Sequence, residues 1–193
     1  FSSSIPYRNE HQTTFVDPNR PDLFYHLVAP PTPLSSSRPV FAVSLLEAPP
    51  PSSTSSTILG WLPAEAEGES EGAGLNDFKE NSQFRTLLHE AISTGLAQGV
   101  DDIQINGAMQ TQRGWMHING RPSSSFHPFF SHDRNIPALG RIGDPDDILA
   151  SIRVEDGKML PETYEPMPSY RLCTADGVTK LSDGLAAKLR TVL

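Results

Sequence analysis

Residues 76–99 read NDFKENSQFRTLLHEAISTGLAQG. Phe84, Leu87, Leu88, Ala91, Ile92 and Leu96 recur at three- and four-residue spacing, which gathers them into one stripe along a helix. Asp77 and Glu80 have capping-box spacing, and Gly99 can take the left-handed conformation that ends a helix. The segment predicts an amphipathic helix over 77–98 whose stripe lies across a sheet. His89 borders the stripe and reads as a structural histidine.

The sheet is sought upstream. LFYHLV (23–28), PVFAVSLLE (39–47) and TILGWLPA (57–64) are short apolar runs separated by APPTPLSSSR and APPPSSTSS. Proline has no amide hydrogen to give a ladder, so those spacers read as exposed loops and the runs as an antiparallel meander. Residues 1–22, with VDPNRPD, show no sustained periodicity and predict an extended or processed N-terminal arm. The Gly/Glu tract within 65–76 carries too little apolar surface to fold and predicts a mobile loop.

Downstream, DDIQINGAMQTQRG (101–114) fits a second helix through Met109 about as well as a strand. WMHI (115–118) reads as strand, with Trp115 and His117 on one face and Met116 and Ile118 on the other. GRPSSSFHPFFSH (120–132) has the look of an insertion, read as a retained intron-like segment, and 120–133 as a second mobile loop. In GDPDDILASI, Asp144 as N-cap, Pro145 at the first position and Asp146 and Asp147 in the first turn predict a short helix. ASIRVEDGKML predicts a hairpin about Asp156-Gly157, and a strand is expected at Tyr170–Thr174 before a turn at Asp176-Gly177. SDGLAAKLRTVL closes as a helix with Leu185, Leu189 and Val192 on one face. The fold class is α+β: a mostly antiparallel sheet covered by one long amphipathic helix, plus a C-terminal helix. Residues 23–193 form a single domain.

Composition narrows the function. Among 193 residues, 37% are hydrophobic and 18 are proline, so much of the chain is loop. No apolar run approaches the roughly 20 residues of a membrane-spanning helix, and a soluble chain without membrane insertion is expected. The net charge of -8 opposes nucleic-acid binding, which requires clustered cations. A single cysteine, Cys173, excludes an intrachain disulfide framework and suits a reducing compartment. FSSSIPYR (1–8), rich in serine and free of acid, predicts a mitochondrial presequence processed ahead of Phe1, the alternative being an arbitrary boundary.

GWMHIN and GRIGDPDDILASIRVEDGKMLPETYEPMPSYRLCTADGV, with a looser match at FVDPNRPDLFYHL, resemble a family of uncharacterised fungal proteins. Many of these carry mitochondrial presequences and none has an established activity. The resemblance implies a mitochondrial compartment but no catalytic residue, and GRPSSSFHPFFSH departs from its pattern.

No phosphate loop, dinucleotide fingerprint, H-E-x-x-H or G-x-S-x-G occurs in the chain, and no cofactor is expected. His127, His132 and Asp133 have ligand chemistry suited to zinc, although they sit in a serine-rich loop. His117 is a candidate general base beside Trp115, near Asp133 and Arg134 in sequence. Cys173 is a candidate nucleophile if Arg171, on the same strand face, lowers its pKa. Asp144, Asp146 and Asp147 fit helix capping better than a cation site. Arg134, Arg141, Arg153 and Arg171 fit surface ion pairing better than an anion-binding face.

These readings predict a non-catalytic accessory or assembly protein of the mitochondrial matrix (alternatively the cytoplasm) with a protein partner. The alternative is a small-molecule enzyme or ligand-binding domain. Its pocket would lie between helix 77–98 and the sheet, lined by Trp61, Trp115 and His117, with Cys173 nearby.

Overall fold

A computed structural model describes residues 13–64, 77–120, 147–174 and 177–193. The meander is present and one hairpin longer than expected. Strands β1 (Thr14–Asp17), β2 (Arg20–Val28), β3 (Val40–Ser44), β4 (Ile58–Pro63) and β5 (Lys79–Glu80) form an antiparallel sheet in chain order. From residue 14 onward the expected arm is therefore sheet. Asp17 Oδ1 accepts from the amides of Asn19 (2.8 Å) and Arg20 (3.0 Å), closing a turn that Pro18 pre-shapes.

Helix α1 runs Ser82–Gln98 and starts later than the Asp77/Glu80 pattern implies. Asn81 is its N-cap: Oδ1 accepts from the Gln83 amide (3.1 Å) while Nδ2 donates to the Ser55 and Ile58 carbonyls. Asp77 precedes the two-residue strand β5, and Glu80 pairs across the ladder with Gly60. The Glu80 carboxylate instead accepts from the Leu172 amide (2.7 Å) and stands 3.7 Å from Arg85. Gly99 ends the helix at φ 63, as expected. Phe84, Leu88, Ala91, Ile92 and Leu96 are buried as the stripe requires, but α1 packs chiefly on a second sheet and on the C-terminal helix.

That second sheet comprises β6 (Gly114–Asn119), β7 (Ile148–Glu155) and β8 (Lys158–Pro166), antiparallel in the order β6-β7-β8. Helix α2 (Asp102–Thr111), capped by Asp101, precedes it and resolves the ambiguous stretch as helix. Ile148 and Leu149, expected in a short helix, are strand, and β7 runs on from them into the strand that the predicted hairpin starts at Ala150. Ile148, Leu149, Ala150 and Ile152 are all buried in the central strand, and such a run lacks the alternation that identifies a half-buried strand. The β7–β8 turn is the predicted Asp156-Gly157, with φ of 50 and 71, the paired positive values of a tight hairpin. The strand expected at 170–174 shrinks to β9 (Cys173–Thr174), paired with β10 (Gly177–Val178). Helix α3 (Asp183–Arg190) buries Leu185 and Leu189, while Val192 lies beyond its end and is exposed.

Leu23, Val43 and Leu59 from the first sheet share one apolar core with Ile118, Leu149, Ile152 and Val154 from the second and with the buried residues of α1 and α3. A smaller cluster of Val40, Ala42, Ile58 and Trp61 lies on the other side of the first sheet, with Val28 and Leu34 against it. The Pro/Ser-rich spacers close over it: Trp61 Nε1 donates to the Ser53 carbonyl at 3.1 Å. No described helix is long and apolar enough to cross a membrane.

Candidate functional site

The alternation of β6 turns Met116 and Ile118 into the core and leaves Trp115 and His117 on the outer face. Register sets Trp115 opposite Arg153 and His117 opposite Ser151. Trp115 is 53% exposed, and β6 is a sheet edge. His117 Nδ1 and Ser151 Oγ are hydrogen-bonded at 2.9 Å, and Arg153 pairs with Glu155 at 2.7 Å. A histidine beside a serine has the composition of an activated nucleophile, but that chemistry also needs donors converging on an oxyanion in a water-excluded cavity. This pair lies on the open side of a sheet.

Cys173 sits on the core side, against the main cluster. Burial and the nearby Glu80 carboxylate push its thiol up to about 11, the opposite of activation. Arg171 lies outside the short strand β9 and is exposed. His117, Arg171 and Cys173 therefore do not converge. Trp61 belongs to the smaller cluster on the first sheet, so it shares no pocket with Trp115 and His117. Phe84, Leu88 and Ile92 fill the space beneath α1 where that pocket was expected.

His127, His132, Asp133, Arg134, Arg141, Asp144 and Asp146 lie outside the described residues. No group of three His, Cys, Asp or Glu side chains is placed to hold a metal among the described ones. His89 is structural as read: Nδ1 is hydrogen-bonded to the Tyr164 hydroxyl at 2.9 Å, and burial, with Arg85 nearby, holds its pKa down.

The sequence reading missed a cleft of about 290 Å³ between the β1–β2 turn and α3. At its back Arg20, only 6% exposed, grips Asp22 through Nε (3.3 Å) and Nη2 (2.8 Å). Nη1 of the same guanidinium donates to the carbonyls of Val178 (2.5 Å) and Thr179 (3.1 Å). The hydrogen bonds from Arg20, and its charge, hold the Asp22 carboxyl below its usual pKa. The available signal was Arg20 and Asp22 bracketing Pro21, a charged pair inside a segment dismissed as arm.

Comparison of the chain with protein-family profiles, with curated proteins and with solved structures yields no match.

Proposed function

We propose that this chain is a non-catalytic accessory or assembly protein of the mitochondrial matrix, acting through protein–protein contacts, and that its partner docks on the outer face of β6–β8. The observation that carries this reading is Trp115, 53% exposed at an edge strand and paired in register with Arg153. Tryptophan and arginine dominate binding hot spots, because each combines large contact area with a polar group that stays satisfied on burial. Among the described residues β6 is an edge strand with β7 as its one ladder partner, which makes its other side the place for strand addition. The acid-poor, serine-rich composition of residues 1–8 supports the matrix location, and the resemblance of the C-terminal two-thirds supports both it and the fungal kinship.

The test is sedimentation of the full chain in native fungal matrix extract, wild type against Trp115→Ala/Arg153→Ala. The wild type sediments in a heavy particle and the double variant at the monomer position. A wild type that runs as a free monomer refutes the reading, as does a variant that stays in the particle. A turnover activity abolished by His117→Ala would favour the enzyme reading instead.

A further inference from the structure

The cleft behind the β1–β2 turn carries more positive charge at its mouth than its walls neutralise. Lys180 and Arg190 line it and are exposed. Among the described residues neither forms an ion pair, whereas Arg20 at the back is fully engaged by Asp22 and two carbonyls. The Lys180 charge adds to that of Arg20 in holding the Asp22 carboxyl below its usual pKa. With Arg20 and Asp22 cancelling, two cations face one acid, Asp183, in a chain of net charge -8. Leu45 and Ala186 add an apolar wall.

We propose that this cleft binds a small organic oxyanion, a carboxylate or phosphate on a short carbon body, with Lys180 and Arg190 donating to the oxyanion and Leu45 and Ala186 covering the carbon. The volume is near the lower end for ligand sites, which suits a molecule of a few heavy atoms. Charge-assisted hydrogen bonds from the two cations lining the cleft supply the affinity, and the Asp22–Arg20 pair forms part of its back wall. Asp183 at the mouth disfavours extended polyanions such as nucleic acid and favours a ligand that also bears a hydroxyl or amine. The site shares no residue with the β6–β8 contact face and stands or falls without it.

The experiment titrates the full chain with inorganic phosphate, glycerol phosphate and succinate at constant ionic strength, read by amide chemical shifts. At least one probe saturates, with the largest shifts around Thr179–Lys180. The exposed double variant Lys180→Ala/Arg190→Ala, checked for an unchanged Tm, weakens binding by about tenfold or more. Lys158→Ala, on the far hairpin, leaves it unchanged. Saturation by the phosphates alone assigns a phosphate ester, and by succinate alone a carboxylate. The proposal is overturned if no probe saturates below about 10 mM, weak even for a small ligand. It is equally overturned if the double variant binds like the wild type.

Discussion

Replacing Asp101 by alanine tests how the helices are fastened together. This side chain is 4% exposed and serves two helix N-termini at once. Oδ1 accepts from the amides of Ile103 (3.0 Å) and Gln104 (3.1 Å), capping α2. Oδ2 accepts from the Leu185 amide (3.3 Å) in the first turn of α3 and from the Ser182 hydroxyl. Loss of an N-cap costs about 1 kcal/mol. Leaving the buried Leu185 amide without its charged acceptor adds about 2 kcal/mol. The expected destabilisation of Asp101→Ala is about 3 kcal/mol, a large part of the 5–15 kcal/mol typical of a domain. Urea unfolding followed by circular dichroism reads this as a fall of about 1.5 M in the midpoint, for a slope of about 2 kcal/mol per M. Asp101→Asn keeps an acceptor for one helix only and loses about half as much, whereas Ser182→Ala loses about 1 kcal/mol. A loss below about 0.5 kcal/mol for Asp101→Ala, or an Asn variant as stable as the wild type, would refute the double-cap account.

Four further outcomes follow from contacts elsewhere in the fold. Arg20→Ala removes the guanidinium that binds Asp22 and two carbonyls and costs about 3 kcal/mol in chemical denaturation, with Lys at that position recovering only part because it lacks the planar fork. Because the folded Asp22 pKa lies below the ordinary 3.8, its contribution is complete above that value and fades as pH falls through the depressed one. Wild-type stability measured from pH 5 down to 2 should drop more steeply than that of Asp22→Asn; parallel curves would contradict this. The Cys173 thiol, at about 11 against an ordinary 9.0, should react with iodoacetamide near neutral pH roughly 100-fold more slowly than a peptide thiol, and a reactivity midpoint below pH 8 would sink the assignment. Gly60→Ala puts a Cβ 2.5 Å from the Lys79 carbonyl oxygen, so thermal unfolding should show a loss of about 1–3 kcal/mol, and an unchanged Tm would mean β5 can move aside.

The parts of the fold legible in the sequence were those where local chemistry and tertiary packing agree. The proline-punctuated runs had to be antiparallel neighbours, Asp156-Gly157 had to turn, and the Phe84–Leu96 stripe had to be buried. The misreadings occur where a local signal has two uses. Glu80 has the spacing of a capping partner but bonds the backbone of Leu172, 92 residues away. Asp144 to Asp147 look like a helix start, yet β7 begins at Ile148, and the buried run Ile148–Ala150 masks the period-two alternation that Ser151 and Arg153 restore on the outer face. Trp115 and His117 were assigned the correct relative facing. Which of the two faces met the core depended on β7, and no feature of β6 itself encodes that. The cleft was invisible for a simpler reason: Arg20 and Lys180 are brought together only by the completed fold.

The roof over Trp61 changes the meaning of the chain's proline content. Segments 29–39 and 48–57 look like spacers, yet Ser53 and Ser55 hold Trp61 and Asn81 through their carbonyls, and Lys79 reaches the carbonyl of Pro33. A stiff tether has fewer arrangements to surrender when it settles, and each compatible proline spares roughly 0.4–1 kcal/mol. A patch of four buried side chains can thus be thatched by sequence that contributes almost no grease of its own. Low apolar content in this protein reflects economical roofing and is a poor guide to how much of it is ordered.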